Sequence, residues 1–248
     1  MSICICLRKN RILLLGLIVF IVLSLFDTAA NAAVSDNVTF LFRHDFDDAV
    51  DIERVGITVA AKDSFIGYDS DGMNGKCIRM QRISSDLYIE INKPTNASKI
   101  VEDGYFKWNN TGGYVGEVNL FAVKYSDNTY SDFVKLKSNG SLVTHDGKTI
   151  GNIGSGFAHL ECVIDLEKQT YDVYKDDVRL TNGIRFSNGS AFSKWRLYMY
   201  NKTGTANLYI DKIALYEGER KGNLTYSSYP FADNSVAVAQ AKGGTAFH

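Results

Sequence analysis

Proline, cysteine and histidine are scarce in this chain of 248 residues, which contains two, four and four of them. Two of the cysteines lie among the first ten residues, so only Cys77 and Cys162 remain for the rest of the chain. Two cysteines suffice for one disulfide bridge in an oxidising compartment. Both lie in apolar strand patterns, however, which favours small buried side chains instead. The histidines are scattered, so the sequence predicts no zinc cluster of Cys and His ligands.

The sequence also lacks a Lys/Arg-rich block, and its formal net charge is −1. A weakly acidic chain without a basic stripe does not have the electrostatic footprint of a nucleic-acid-binding protein. Beyond the N-terminal segment no apolar run approaches the ~20 residues that a membrane-spanning helix needs. We therefore expect no nucleic-acid partner, and no membrane partner once the N-terminal segment is removed.

The N-terminal segment has the three parts of a secretory signal. Basic residues between positions 8 and 11 are followed by an apolar run from Ile12 to Phe26, and Ala30-Asn31-Ala32 has the small-x-small pattern of a cleavage site. The run is shorter than a membrane-spanning helix. We predict a cleaved signal peptide over residues 1–32 and a secreted, extracellular or cell-surface protein.

The rest of the chain has the pattern of an all-β domain. Tyr, Phe, Val, Ile and Thr are abundant, and Gly, Asn, Asp and Ser interrupt them every 8–15 residues. Many short strands separated by turn residues are typical of a β-sandwich or barrel. The predicted strands are 38–46, 55–61, 76–82, 86–92, 102–109, 116–125, 130–138, 140–145, 157–166, 170–175, 193–200 and 206–217. We assign residues 33–217 to this domain and 218–248 to a linker or the start of a further domain.

The predicted turns include Asn139-Gly140, the preferred pair for a type I′ hairpin. A second hairpin is predicted from residues 158–175, with Glu167 at its bend. Its residues Val163-Ile164-Asp165-Leu166, Thr170-Tyr171 and Val173-Tyr174 resemble a hairpin common in laminin-G-like and concanavalin A-like domains. Those domains have Gly where this chain has Asp177.

The same hairpin contains three acids on one face of a strand, Glu161, Asp165 and Glu167, because side chains alternate along a strand. Asp165 and Glu167 resemble part of the E-x-D-x-E motif of glycoside hydrolase family sixteen, but Val163 stands at the nucleophile position. Glu161 and Glu167 are about 20 Å apart along one strand, too far for hydrolysis by a carboxylate pair. The pattern favours a plain hairpin over a catalytic strand.

The predicted last strand, Asn207 to Glu217, resembles the terminal strand of jelly-roll carbohydrate-binding modules of secreted polysaccharide-active proteins. The end of the first strand resembles the opening of the same modules. The resemblance covers residues 40–217 and implies a two-sheet antiparallel jelly roll. It also implies a structural Ca²⁺ held by Asp45 or Asp47 with Asp211, because clustered carboxylates are suitable Ca²⁺ ligands. The alternative is that the acids near residue 45 are solvated turn residues.

A candidate ligand-binding surface lies on the strand 193–200. Trp195, Leu197 and Met199 share one face, so Arg196, Tyr198 and Tyr200 share the other. Aromatic rings pack on sugar rings while an arginine hydrogen-bonds hydroxyl or carboxylate groups. The alternative is an aromatic patch that only stabilises the sheet.

Tyr200 to Gly204 also resembles the Y-x-K-x-G start of an alginate-lyase motif, but Ala206 and Leu208 replace the Tyr and Gln of its second half. We therefore expect a non-catalytic carbohydrate-binding or accessory module that takes a poly- or oligosaccharide. The alternatives are a polysaccharide-degrading hydrolase or lyase, built on Asp165 and Glu167 or on Arg196 and Tyr200, and a purely structural cell-surface domain.

Overall fold

Alternating apolar and polar residues form sixteen strands in the part of the chain that the structure describes. The structure, a computed structural model, describes residues 38–47, 52, 55–61, 63–83, 85–187, 191–200, 202–222 and 224. The strands are β1 (Thr39–His44), β2 (Ile57–Ala61), β3 (Phe65–Asp69), β4 (Cys77–Arg82), β5 (Leu87–Thr95), β6 (Lys99–Gly112), β7 (Glu117–Tyr125), β8 (Tyr130–Lys137), β9 (Ser141–Thr144), β10 (Thr149–Asn152), β11 (Ala158–Asp165), β12 (Thr170–Lys175), β13 (Val178–Arg179), β14 (Ile184–Arg185), β15 (Phe192–Met199) and β16 (Thr205–Glu217).

The strands form two sheets, and every strand pairing is antiparallel. Sheet A has the order β13-β12-β11-β6-β16-β4-β3, with β1 also pairing β16 and β14 also pairing β12. Sheet B has the order β10-β9-β8-β7-β15-β5-β2. Apolar side chains on the inner face of each sheet pack into one core, in which the rings of Phe106 and Phe121 meet edge to face at 5.6 Å. The predicted all-β, two-sheet antiparallel sandwich is confirmed.

β16 is an interior strand of sheet A and pairs with three others. It pairs with β6 along one edge, and with β4 and then β1 along the other. The partner changes near Lys212, which has a φ of 49° and is an extra residue in the register between Asp211 and Ile213. This β-bulge reverses the alternation. Asp211 therefore points away from the core while Ile213 points into it.

All twelve predicted strands are present, and four short strands, β3, β10, β13 and β14, were not predicted. The type I′ turn predicted at Asn139-Gly140 is wrong. Gly140 has a φ of 83°, but Asn139 is not left-handed, and the loop has three residues in which the N–H of Gly140 donates to the carbonyl of Lys137 at 2.9 Å. This is a type I turn followed by a left-handed glycine, not a type I′ turn.

The hairpin with Glu167 at its bend is confirmed, since β11 and β12 pair from Leu160–Lys175 to Asp165–Thr170. Cys77 and Cys162 are buried and unbridged, as the apolar pattern around them favoured. The predicted signal peptide lies outside the described residues. Among the described residues no helix is long and apolar enough to span a bilayer.

The first residues after β16 lie against the outer face of sheet A. Leu224 packs with Val101, Ala214 and Tyr216, and the N–H of Lys221 donates to the Tyr216 hydroxyl at 3.2 Å. The remainder of the predicted linker lies outside the described residues, so the division at residue 217 stays a prediction.

Candidate functional site

The outer face of sheet B has a cluster of one arginine and four tyrosines, which we call the tyrosine–arginine face: Tyr88, Tyr130, Arg196, Tyr198 and Tyr200. The alternation predicted for β15 is observed, because Trp195, Leu197 and Met199 are buried while Arg196, Tyr198 and Tyr200 are partly exposed. Tyr88 lies opposite Tyr198 on β5, and Tyr130 is on β8, beyond β7.

The guanidinium of Arg196 lies over three of these rings. Its Cζ is 4.3 Å from the ring centroid of Tyr88, 4.6 Å from that of Tyr198 and 5.3 Å from that of Tyr130. Its Nε is 3.5 Å from the carboxylate of Glu90, which also pairs with Lys194 Nζ at 2.9 Å. Stacking and pairing restrict the rotamers of the arginine, so the face is organised before any ligand binds.

Tyr200 extends this surface toward the end of the strand. Its ring meets the Tyr198 ring edge to face at 4.6 Å, and its hydroxyl accepts a hydrogen bond from Asn119 Nδ2 at 3.2 Å. Burial raises the pKa of Tyr198 well above 10, and the hydrogen-bonded Asp86 raises it further. Burial and the charge of Asp132 raise the pKa of Tyr200. Both phenols therefore keep their protons at neutral pH and can donate hydrogen bonds.

Sequence reasoning missed Tyr88, Glu90 and Tyr130. The stretch Leu87 to Asn92 alternates apolar and polar residues. The alternation that predicts the outer face of β15 therefore also predicts that Tyr88 and Glu90 point outward. Tyr130 meets Arg196 only because β8, β7 and β15 are neighbours in sheet B.

The three predicted calcium ligands lie in one region at the end of β1. Asp211 is 1% exposed, and its Oδ2 accepts a hydrogen bond from the backbone N–H of Met73 at 2.6 Å. Asp211 Oδ1 and Asp47 Oδ1 are buried and accept no hydrogen bond from the described residues. The Asp47 carboxylate lies against Gly75, where an added Cβ would collide with it. The loop between β3 and β4 therefore connects two of the acids.

The electrostatics of this acidic region are unfavourable for an unliganded protein. Burial raises the pKa of Asp211, the hydrogen bond from Met73 and the charge of Lys212 oppose the rise, and the charges of Asp47 and Asp45 add to it. Between the two N-terminal acids, Phe46 has a φ of 67°, a conformation that bulky residues rarely adopt. Such backbone strain is concentrated at ligand and switch sites.

The acids of the hairpin have a different environment. Asp165 Oδ1 accepts a hydrogen bond from the backbone N–H of Lys168 at 2.8 Å, and burial of Asp165 is outweighed by this bond and by the Lys168 charge, so its pKa is lowered. Glu167 lines a cavity of about 280 Å³ with Ser98 and Phe192 at one end of the sandwich. Asp165 and Glu167 belong to sheet A and its hairpin, whereas Arg196 and Tyr200 belong to sheet B.

A buried polar cluster on the outer face of sheet A was not predicted. Asp103, His159 and Glu161 each offer a ligand atom within 4.8 Å of the others, and His159 Nε2 is 3.0 Å from Asp103 Oδ1. Arg220 donates from Nε to Glu161 Oε2 at 2.7 Å and also pairs with Asp177. Alternation along β11 predicts that Glu161 lies on this face. It does not predict the contact with Arg220, which lies in the segment assigned to a linker.

The ionisation of this cluster is shifted. Burial raises the pKa of Glu161 to about 7, with a further rise from the Asp103 charge and a partial offset by Arg220. Burial alone lowers the pKa of His159, but the hydrogen bond and charge of Asp103 outweigh it, so the pKa is raised overall.

The sequence matches no protein-family profile and no curated protein. Solved structures do resemble the fold. The chain superposes on a sialidase with a TM-score of 0.57 and 12% identity, covering 73% of this chain but only 19% of the sialidase. A carbohydrate esterase from the Shiga toxin-encoding bacteriophage phi24B gives 0.53 and 16%, covering 74% of this chain and 100% of the esterase.

A third similar structure is domain 4 of AbnA, an extracellular arabinanase from Geobacillus stearothermophilus, in complex with arabinotriose. It gives a TM-score of 0.52 at 17% identity, covering 75% of this chain and 95% of that domain. At such identities these likenesses establish the fold alone. The fold is a two-sheet antiparallel jelly roll, as the sequence resemblance implied.

Proposed function

We propose that this chain is a secreted, non-catalytic carbohydrate-binding module that holds a poly- or oligosaccharide on the tyrosine–arginine face. The observation that supports this most directly is the arrangement of Arg196 over Tyr88, Tyr130 and Tyr198. Aromatic rings offer apolar area at low entropic cost, and protonated phenols beside a guanidinium supply hydrogen bonds to hydroxyl groups. The arabinotriose-bound arabinanase domain provides a precedent for saccharide binding on a related fold.

The structural contacts made by the candidate catalytic residues support the non-catalytic assignment. A lyase or hydrolase requires an acid and a base that converge on the same bond. Asp165 stabilises the hairpin turn, because it accepts a hydrogen bond from the backbone N–H of Lys168 and pairs with the side chain of Lys168. The Tyr200 hydroxyl is hydrogen-bonded by Asn119.

The test is binding and depolymerisation by the full chain on a panel of neutral and acidic polysaccharides. We expect binding without release of new reducing ends or unsaturated products. Tyr198→Ala should weaken binding about fivefold to tenfold, since an aromatic contact of this kind contributes about 1–1.4 kcal/mol. Phe65→Ala is the matched control, because Phe65 is stacked under Arg79 at 4.8 Å on the outer face of sheet A.

Three results would decide between the alternatives. Chain cleavage that disappears in Glu167→Gln or Tyr200→Phe would establish an enzyme. Binding that is lost equally in Tyr198→Ala and Phe65→Ala would place the ligand elsewhere. Absence of binding across the panel would favour a structural domain.

We also propose that Asp45, Asp47 and Asp211 bind a structural Ca²⁺. The supporting observations are the two buried carboxylate oxygens that accept no hydrogen bond from the described residues, and the raised pKa of Asp211. The ligand atoms of the three acids do not all lie within 4.8 Å of one another, so a divalent cation would have to draw the acids together. It would then satisfy both oxygens and remove the repulsion among the acids. The ion would connect the end of β1 to the bulge of β16.

Calcium binding is tested by titration calorimetry and thermal unfolding of the chelator-treated protein. Added Ca²⁺ should raise the Tm, because a ligand that binds only the folded state stabilises it. Asp211→Asn should abolish both the heat signal and the Tm shift. Asp146→Asn is the control, since Asp146 is an exposed acid in the turn between β9 and β10 of sheet B. No heat and no Tm shift at millimolar Ca²⁺ would refute this proposal without affecting the proposal on saccharide binding.

A further inference from the structure

The most exposed ring of the tyrosine–arginine face lies between two cations. Tyr130 is 46% exposed. Its ring centroid is 5.4 Å from Lys124 Nζ and 5.3 Å from Arg196 Cζ. The arginine reaches across β7 at Ala122, whose small side chain leaves room for it. Two positive charges thus lie over a ring that is still partly open to solvent.

The register of sheet B explains why charge accumulates here. Tyr130, Lys124 and Lys194 are direct cross-strand neighbours on β8, β7 and β15, and Arg196 follows two residues after Lys194. Three cations therefore share this end of the face. Both Lys194 and Arg196 pair with the one carboxylate of Glu90.

Lys124 has no carboxylate partner among the described residues. Asp132 is 3.9 Å from Lys135 and also interacts with Arg196, and Glu117 pairs with Lys137. Around Tyr130, the three cations Lys124, Lys194 and Arg196 thus face two negative charges, Glu90 and Asp132, in a chain whose formal net charge is −1. Such a local excess repels itself, and a bound anion relieves that repulsion.

We propose, on the basis of the proposed saccharide-binding function, that the ligand is an acidic glycan containing uronic acids. A sugar ring packs on Tyr130, and its carboxylate lies between Lys124 and Arg196. A carboxylate suits this place because the planar guanidinium can donate two parallel hydrogen bonds to it while lysine adds a mobile point charge. Lys124 and Tyr130 are therefore specificity-determining residues of the site.

The experiment compares two polymers with one backbone, polygalacturonate and its carboxyl-reduced form, by calorimetry on the full chain. We expect at least tenfold tighter binding to the acidic polymer, with an affinity that falls as salt concentration rises. Lys124→Gln should weaken binding to polygalacturonate about fivefold to tenfold and leave the reduced polymer unchanged. Lys148→Gln is the control, because Lys148 is an exposed lysine in the turn between β9 and β10.

Tyr130→Ala and dextran sulfate separate specific recognition from general attraction of polyanions. Tyr130→Ala should weaken binding to polygalacturonate at least fivefold, and dextran sulfate should bind less tightly than polygalacturonate at equal ionic strength. Equal binding of both matched polymers, with no effect of Lys124→Gln, would overturn the acidic specificity and leave the carbohydrate-binding function intact. Dextran sulfate binding as tightly as polygalacturonate and unaffected by Tyr130→Ala would also overturn it. No binding to any glycan would refute both proposals.

Discussion

Arg220 is bound to the buried carboxylate of Glu161, with its Nε donating to Oε2 at 2.7 Å. The two residues are on β11 and on the segment that follows β16, and the same guanidinium lies 4.2 Å from the ring centroid of Tyr174. This contact holds the start of the C-terminal segment against the outer face of sheet A.

Arg220→Leu should destabilise the domain by about 1–3 kcal/mol, because it leaves the Glu161 carboxylate buried without its charged partner. The measurement is the free energy of unfolding in urea at pH 7.5. Glu219→Gln provides the control, since Glu219 is a highly exposed acid that pairs with Lys99, and we expect no measurable change there. Equal stability of Arg220→Leu and the unmodified chain would contradict the structural role of the contact.

Stability should fall as pH rises from about 4.5 to 7. The pKa of Glu161 is 4.5 in the unfolded chain and about 7 in the folded one, so the folded state binds the proton more tightly. The resulting stabilisation is fully present below pH 4.5 and is lost as pH rises through 7, on the order of 3 kcal/mol. The raised pKa of His159 acts in the same direction.

Urea unfolding at constant ionic strength between pH 4.5 and 8 measures this dependence, and Glu161→Gln should flatten it. The lowered pKa of Asp165 has the opposite sign, and its contribution is lost only as pH falls through the acidic range. A stability that increases between pH 4.5 and 7 would be inconsistent with the buried cluster.

Glu102→Gln should stabilise the domain at pH 8 by about 1–3 kcal/mol. Glu102 points into the core, its oxygens have no hydrogen bond from the described residues, and burial raises its pKa well above 4.5. The nearby indole N–H of Trp195 offsets only part of this rise. Folding must therefore neutralise a carboxylate that the unfolded chain would ionise, and the amide does not incur this cost.

The control for Glu102→Gln is the same comparison of the two proteins at low pH. At pH 4.5 the unfolded chain also holds much of the proton, so the two proteins should differ little in urea unfolding, and the gap should widen as pH rises. A pH-independent difference would mean that the substitution changes packing and not charge.

Asp177→Gly should be more stable than Asp177→Ala by about 1 kcal/mol. Asp176 and Asp177, the turn between β12 and β13, have φ angles of 48° and 65°, and alanine disfavours this left-handed conformation. Both variants lose the ion pair with Arg220. The difference in their free energies of unfolding therefore reports the cost of the left-handed backbone conformation. At Val178, an exposed position in β13, the alanine variant should instead be more stable than the glycine variant. Equal stability of the two Asp177 variants in urea would contradict the turn geometry.

How far the sequence determined the site is clearest on β15. Alternation alone predicted that Arg196, Tyr198 and Tyr200 share an outer face. It did not predict that Tyr130 joins them, because that depends on the order β8-β7-β15, which long-range pairing decides. The strand β3 was missed because Gly67 interrupts its short apolar pattern.

The acidic region was also predictable only in part from the sequence. Resemblance suggested Asp45, Asp47 and Asp211 as a group, and they do lie close enough to influence one another. The sequence did not show that the N–H of Met73 would bind Asp211, nor that Lys212 would be an extra residue that changes which side chains face the core. Bulges depend on both partner strands, and local periodicity does not predict them.

The pairing of β1 with β16 also determines how the domain would respond to pulling. Thr39 at the start of β1 is paired with Glu217 at the end of β16. A force applied through these two residues therefore acts on the open end of an antiparallel pair, and its hydrogen bonds break one after another instead of all together. Pulling at these two residues would peel β1 away first, and β1 ends at the acids proposed to hold Ca²⁺. The ion would then hold the end of β1 to β16 and protect the rest of the sandwich after the first strand has begun to separate.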